Sequence, residues 1–244
     1  MTLAGFFRNL GQIAGPHFRK ARWVFRSLTG SPEELIEAEY EVGRDMAHAL
    51  SAKGGIDDDP VPVRLLANVG NRLAGRLRDR QRRFTFQVLI DPQINAFAMP
   101  GGFIFVTRSL LALCGSQENE LAFVLGHEMA HVVRGHAMDR MVSGAVLNVA
   151  SRASIAARMM NKTVLDAAMA MLQRAYSRDQ ELEADAFAVR LMISAELDPL
   201  AGAAVLVRLA EHADEPDVLS GYFSTHPPLA ERMERIRRLL NKEV

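Results

Sequence analysis

The pattern of hydrophobic and polar positions has a helical period near the start of the chain. Ser31 and Pro32 provide a helix cap and a first-turn proline, and predict a helix that runs to Gly54-Gly55. Asp59-Pro60 predicts the start of a second helix. Its apolar positions are three or four residues apart and therefore share one face. They are Val63, Leu66, Val69, Leu73 and Leu77.

The period changes to strict alternation over the next segment. RFTFQVLI (83–90) predicts a strand, and NAFAMPGGFIFVT (95–107) predicts two short strands around a Pro-Gly-Gly corner. After Thr107 the pattern is helical to the end of the chain. A small sheet among many helices predicts an α+β domain over residues 31–244.

Composition and charge exclude several classes of protein and site. Apolar residues make up 49% of the chain and its formal net charge is zero, so no nucleic-acid partner is expected. The single cysteine, Cys114, excludes an internal disulfide framework and a zinc site built from cysteines. No uncharged apolar run reaches the length of a membrane span, so no transmembrane helix is expected.

Residues 1–30 differ from the rest because basic and aromatic residues alternate there, with no acidic residue before Glu33. This composition suits an amphipathic helix on an anionic membrane surface. The general rule that apolar stripes face a core favours instead a helix packed on the body of the protein or on a partner, and an organellar transit peptide also fits the composition. Arg8 and Asn9 interrupt the apolar run that a secretory signal needs. We therefore expect a cytoplasmic protein, with peripheral membrane contact through residues 1–30, the periplasm and an organelle as alternatives.

The stretch HEMAHVVRGH (127–136) contains the first candidate for chemistry. On a helix, His127 and His131 lie one turn apart and point the same way, so two imidazoles can share one metal ion. Glu128 lies about 100° round the helix, within reach of a water on that metal. This is the H-E-x-x-H arrangement of two zinc ligands and a general base. His136 is out of register with His131, and we interpret it as a supporting residue behind the ligands.

A catalytic zinc needs a third protein ligand, and SRDQELEADAFAV (177–189) offers candidates. Glu181 and Asp185 are four residues apart and share a helix face. Glu181 can bind the metal while Asp185 accepts a hydrogen bond from the second nitrogen of a ligand histidine. The alternative for both carboxylates is an ordinary solvated helix face.

Four motifs, in order and at matching spacing, resemble those of one zinc peptidase family. They are NAFAMPGGFIFVTRSLL, HEMAHVVRGH, ELEAD and STHP. Together they are similar to the family that includes HtpX, BepA and the CAAX prenyl endopeptidases. The resemblance implies a mostly helical zincin-type domain with one Zn²⁺ per chain on His127, His131 and Glu181. It also implies Glu128 as the base and Asp185 in support.

The same resemblance implies how a polypeptide substrate is held. In this family an extended peptide pairs with an edge strand that faces the metal, and we expect that strand near Phe103–Val106. The residues predicted on the substrate side are Asn95, Ala96, Gly102, Phe103 and Ile104.

Two further residues gain candidate roles from the resemblance. Arg232 is the candidate donor to the oxyanion, although an arginine in AERMERIRRLL could equally be a solvated residue on an amphipathic helix. His226 in GYFSTHPPLAER is a candidate fourth ligand that blocks the metal, or else a surface residue of a loop.

The sequence therefore predicts a zinc endopeptidase that acts on unfolded or membrane-associated polypeptides. Two other functions stay open: a peptidase-fold protein that holds clients without cutting them, and a membrane adaptor with a structural zinc.

Overall fold

The computed structural model describes residues 32–115, 117–139, 175–211, 226 and 229–243. The basic aromatic segment 1–30 lies outside these residues, so its predicted amphipathic character stays a prediction. Within the described part of the chain, no helix is both long enough and apolar enough to cross a membrane.

Two helices come first, as the apolar spacing predicts. Helix α1 spans Pro32–Ser51 and so ends three residues before the predicted Gly54-Gly55 stop. Helix α2 spans Pro60–Ala74, and its cap is the predicted Asp59, whose side chain accepts a hydrogen bond from the Val61 amide. The apolar face of α2 is buried at Leu66, Val69 and Leu73.

Three short strands form one mixed sheet. Strand β1 spans Thr85–Leu89, β2 spans Ala96–Met99 and β3 spans Phe103–Thr107. Their order is β1-β3-β2, with β1 parallel and β2 antiparallel to β3. Phe97 and Phe105 face each other across β2 and β3, with ring centroids 5.3 Å apart, and this stacked pair stabilises the antiparallel ladder.

The strand order corrects one prediction. We expected the substrate edge near Phe103–Val106, but that segment is β3, the middle strand, which has a neighbour on each side. Its backbone amides and carbonyls are used in those two ladders, so β3 is not available to a third strand. Strand β2 is the edge that lies against the helical half of the molecule, and no described strand pairs with its other side.

The Pro-Gly-Gly corner between β2 and β3 is a single 3₁₀ turn, Pro100–Gly102. Gly101 and Gly102 have φ of 74° and 93°, a left-handed conformation that favours glycine. Helix α1 packs directly on this turn, because a Cβ built on Gly43 would lie 1.7 Å from the carbonyl oxygen of Pro100. The absence of a side chain at residue 43 therefore sets the distance between α1 and the corner.

The helical half of the molecule follows the sheet. Its described helices are α3 (Arg108–Leu113), α4 (Glu118–Val133), α5 (Arg178–Ser194), α6 (Ala201–Glu211) and α7 (Leu229–Glu243). The cap of α4 is Gln117, one residue after the predicted Ser116. Helix α4 is buried over almost its whole length, between β2, α2, α5 and α6. The expected α+β architecture, mostly helical with a small sheet, is confirmed.

Among the described helices, α4 and α5 share the most extensive contact. A Cβ built on Gly126 would lie 3.2 Å from the Cα and 3.3 Å from the Cβ of Ala188. Two small residues at the crossing thus let the two backbones approach each other more closely than larger side chains allow. The contact lies one residue before the H-E-x-x-H motif.

The close packing at Gly43 generates a prediction. Gly43→Ala places a methyl group against the Pro100 carbonyl, and we expect it to lower the free energy of unfolding by about 1–3 kcal/mol. Helix propensity alone predicts the opposite sign, a gain of about 0.5–1 kcal/mol. Urea unfolding followed by circular dichroism measures the difference.

Gly75→Ala is the matched control. Gly75 has a helical φ of −61°, and no atom lies closer than 3.3 Å to a Cβ built on it, so this variant should remain within about 1 kcal/mol of the parent. If Gly43→Ala is as stable as Gly75→Ala, the packing of α1 on the corner does not require glycine at position 43.

Candidate metal centre

Four side chains that can bind a metal meet in the core, from α4, α5 and the residue that precedes α7 by three positions. They are His127, His131, Glu181 and His226, and one nitrogen or oxygen from each lies within 4.8 Å of all the others. Every one of them is at most 3% exposed. Sequence reasoning named all four, and the structure brings them together.

The distances between these atoms suit a tetrahedral ion. The Nε2 atoms of His127 and His131 are 3.1 Å apart, and His226 Nδ1 is 3.3 Å from His127 Nε2. Glu181 Oε1 is 3.4 Å from His131 Nε2. Ligand atoms on a tetrahedral zinc, at bond lengths of about 2.0–2.1 Å, lie about 3.3 Å apart. The donor set therefore fits one metal ion.

The start of α5 is fixed by a local motif. Ser177 caps the helix in a capping box with Gln180: each side chain bonds the backbone amide of the other, at 3.3 and 3.0 Å. Because the cap sets the helical phase, Glu181 and Asp185 both point towards α4, one turn apart. The alternative of a solvated face is therefore wrong for these two carboxylates, which are 1% and 0% exposed.

Asp185 contacts the side of His127 that is turned away from the other ligands. His127 Nδ1 lies 2.8 Å from Asp185 Oδ1, the contact that the sequence predicts. Burial alone raises the pKa of Asp185, but Arg232 and the hydrogen bond with His127 outweigh it, so the pKa is below its usual value. Asp185 is therefore an anion that accepts a hydrogen bond from Nδ1 of His127 and fixes the orientation of that ring.

Arg232 is buried, with 2% of its surface exposed, so a solvated Arg232 is wrong. Its Nε and Nη2 donate to the two oxygens of Asp185, both at 2.8 Å, and Nη1 lies 3.2 Å from Glu181 Oε2. A guanidinium in this two-pronged contact neutralises both carboxylates in the core. Its role as an oxyanion donor stays a prediction.

The two histidines of α4 differ in their affinity for protons. Burial holds the pKa of His131 well below its usual value, which favours the neutral form that binds a metal. Burial and Arg232 also lower the pKa of His127, but Glu181 and Asp185 offset them and leave it raised. A cation bound at Nε2 opposes that protonation, so the metal and a proton compete at His127.

Glu128 faces the centre without being one of its four ligands. Its side chain is buried, and Oε1 lies 3.4 Å from Nε2 of His226. No described residue donates a hydrogen bond to Oε2. A buried carboxylate beside a metal centre, with an oxygen lacking a protein partner, is suited to hold and move a proton of a water molecule.

Sequence reasoning missed one residue that contacts the centre. The ring of Tyr176 stacks on His131 with centroids 3.5 Å apart and an angle of 5° between the planes. Tyr176 stands directly before the cap of α5, and no spacing in the sequence relates it to His131. Only the fold brings them together.

The five predicted substrate-side residues divide into two groups. Asn95 and Ala96 lie at the start of β2, and Asn95 Oδ1 is buried without a partner among the described residues. Gly102 is in the corner, against the carbonyl of Arg83, and Phe103 and Ile104 are in the middle strand. The last three therefore do not offer a free strand edge to a substrate.

Three known proteases are similar to this chain in sequence. Mitochondrial metalloendopeptidase OMA1 of Schizosaccharomyces pombe is 31% identical over 163 residues, which are 65% of this chain and 47% of OMA1. The beta-barrel assembly-enhancing protease of Yersinia pestis is 26% identical over 220 residues, or 85% of this chain and 45% of that protein. Metalloprotease YcaL of Escherichia coli is 25% identical over 205 residues, or 82% of this chain and 75% of YcaL. The chain spans less than half the length of the first two.

The family profile covers the whole candidate centre. The profile described as Peptidase family M48 matches residues 62–240, a range that runs from α2 to α7 and includes all four possible ligands, Glu128, Asp185 and Arg232. Because the match extends over well more than half of the sequence, the chain belongs to peptidase family M48.

Proposed function

We propose that this protein is a zinc-dependent endopeptidase that cleaves extended segments of unfolded or membrane-associated polypeptides. The observation that carries the proposal is the meeting of His127, His131 and Glu181 around one point, with the Glu128 carboxylate beside it. A catalytic zinc has three protein ligands and leaves a fourth position for water or substrate.

The chemistry divides between the ion and Glu128. A zinc ion held by these three residues would supply a Lewis acid that polarises a peptide carbonyl and makes water a stronger nucleophile. Glu128 accepts the proton of the attacking water and delivers it to the leaving amine. The exclusion of solvent from the buried Glu128 strengthens its interaction with the developing charges.

Strand β2 is the surface that suits an extended substrate. The Thr107 amide donates to the Asn95 carbonyl at 2.9 Å, which fixes the alternation of the antiparallel ladder. By that alternation, the amides and carbonyls of Ala96 and Ala98 point away from β3. A substrate strand that pairs with them must be extended, and this favours an unfolded polypeptide over a folded one.

Arg232 supports the centre through the carboxylates of Asp185 and Glu181. It holds one oxygen of Glu181 and both oxygens of Asp185, and so fixes two residues of α5 from α7. We propose this anchoring as its main role. Donation to the oxyanion, implied by the family resemblance, is the alternative.

His226 occupies the fourth position and blocks the centre. Its Nδ1 is 2.9 Å from Glu181 Oε1 and 3.3 Å from His127 Nε2, so Nδ1 is the nitrogen that faces the ion. Its Nε2 turns to Glu128, 3.4 Å away, so one imidazole engages both the metal position and the base. The enzyme is then self-inhibited until the His226 side chain leaves this position.

The four-residue donor set favours a second candidate function. Zinc with four protein ligands is characteristic of structural sites, so a protein that keeps His226 in place could hold a client without cutting it. An unfolded, casein-like substrate separates the two functions. Binding without cleavage by the zinc-loaded protein, also after removal of His226, would support the client-holding function.

Glu128→Gln tests the base. We expect kcat to fall by about 10²–10⁴-fold, because the amide cannot accept the proton, while zinc stays near one per chain. Cleavage of a casein-like substrate and metal analysis of the purified protein measure both quantities.

Glu181→Ala is the contrasting variant, because it removes a ligand and not the base. It should lose zinc as well as activity. If Glu128→Gln loses its zinc and Glu181→Ala keeps it, the two roles are wrongly assigned.

Arg232→Gln tests the anchor. The change leaves Asp185 buried without its cation, and we expect the metal-free protein to lose about 3–5 kcal/mol in free energy of unfolding. Arg238→Gln is the control on the same helix. Arg238 is 69% exposed and forms a surface ion pair with Glu234, so its replacement should cost about 0.5 kcal/mol or less. An Arg232→Gln protein of parental stability whose kcat alone is reduced would instead indicate an oxyanion donor.

His226→Ala tests the block. We expect basal peptidase activity to rise with the zinc content unchanged, since three protein ligands remain and the fourth position opens. His48→Ala removes a surface histidine of α1 and should change neither quantity. Unchanged or lower activity in His226→Ala, with zinc still bound, would rule out self-inhibition.

A further inference from the structure

The two ligand histidines of α4 have different partners on their second ring nitrogen. His127 Nδ1 meets a buried carboxylate, Asp185, at 2.8 Å. His131 Nδ1 meets another histidine: Nδ1 of His136 lies 3.1 Å away. A metal-binding histidine generally donates its other N–H to a carboxylate, a carbonyl or water. The orientation of the His131 ring therefore depends on the residue that contacts the other ring nitrogen of His136.

That residue is Glu183. Its Oε2 lies 3.5 Å from Nε2 of His136, and its Oε1 lies 3.0 Å from Nε of Arg134. His136 is buried, whereas the Glu183 side chain is 45% exposed. The contacts therefore form a chain from the metal centre to the surface, through His131, His136 and Glu183.

The metal position at one end of this series of contacts and Glu183 at the other fix which nitrogen of each histidine carries its proton. When Nε2 of His131 binds the metal, the neutral ring carries its proton on Nδ1. At the other end Glu183 is a carboxylate and can only accept, so His136 carries its proton on Nε2. The lone pair on His136 Nδ1 then faces the proton of His131. One set of tautomers satisfies all these contacts.

We propose that His136 and Glu183 are positioning residues that orient His131 for metal binding, a two-step counterpart of the direct contact between Asp185 and His127. The proposal rests on the proposed binding of zinc by His131. Helix α5 then supplies a ligand, Glu181, and both orienting carboxylates. Asp185 reaches α4 directly because it shares a face with Glu181, whereas Glu183 projects to another side and reaches His131 through His136.

The experiment measures zinc affinity by competition with a chromophoric chelator. His136→Leu removes the acceptor for His131, and we expect zinc affinity to fall about 10- to 100-fold. His136→Asn places an amide oxygen near the position of Nδ1 and should recover part of that loss. Thermal unfolding of the metal-free variants shows whether each is folded.

Glu183→Gln provides the test at an exposed position, where folding is least affected. It should weaken zinc affinity by up to about 10-fold, since the amide no longer acts as an obligatory acceptor for His136. Asp179→Asn is the matched control. It removes an exposed carboxylate from the same helix with no contact to either histidine, and should leave the affinity unchanged.

The double variant His136→Leu/Glu183→Gln distinguishes a relay from a simple effect of charge. If Glu183 acts through His136, its replacement has no further effect once His136 is gone, and the double variant binds zinc as His136→Leu does. An equal loss in both backgrounds means that Glu183 attracts the cation through space, and the proposal is then wrong. Parental affinity in Glu183→Gln also overturns it. Zinc affinity is independent of cleavage, so a protein that binds zinc as expected but cuts nothing contradicts only the proposed function.

Discussion

The close approach of α4 and α5 is the constraint on which the centre depends. A methyl group on Gly126 would already lie 3.2 Å from the Cα and 3.3 Å from the Cβ of Ala188. His127 is the next residue after Gly126, so this close approach lies directly beside a ligand. Glutamate and histidine side chains are short, and they meet over one ion only if their backbones are this close. The small residues at the crossing therefore determine whether the ligand side chains can meet, although they bind no metal themselves.

Burial makes the centre rigid, and it also makes it sensitive to the loss of any member. Glu128, Glu181 and Asp185 are three carboxylates in the core, and Arg232 contacts two of them. Removing a charge from water costs several kcal/mol unless a partner compensates for it. A metal ion bound at the centre would supply the remaining positive charge, and its binding would then be coupled to folding.

Local patterns in the sequence predict most of the ligand set, because each part of it lies within one helix. His127 and His131, like Glu181 and Asp185, are four residues apart, and helix geometry alone places each pair on one face. Local patterns do not predict the order of the strands, because that order depends on pairing between distant segments. Both strands beside the Pro-Gly-Gly corner look alike locally, and only the pairing of β1 with β3 makes β2 the edge. The burial of Arg232 also depends on a distant helix, since AERMERIRRLL is amphipathic whether or not one arginine finds carboxylates on α5. The contacts of Tyr176 and Glu183 were missed for the same reason.

Helix α1 affects how large a segment of this chain must be in order to fold by itself. It spans Pro32–Ser51 and so precedes residue 62, where the match to the M48 family begins, yet Gly43 lies against the Pro100 carbonyl in the corner that joins β2 to β3. A fragment that began at residue 62 would expose this glycine corner and one end of β2 to water. A transplant of the peptidase core into another protein must therefore carry α1 with it, although α1 precedes the segment that the family profile matches.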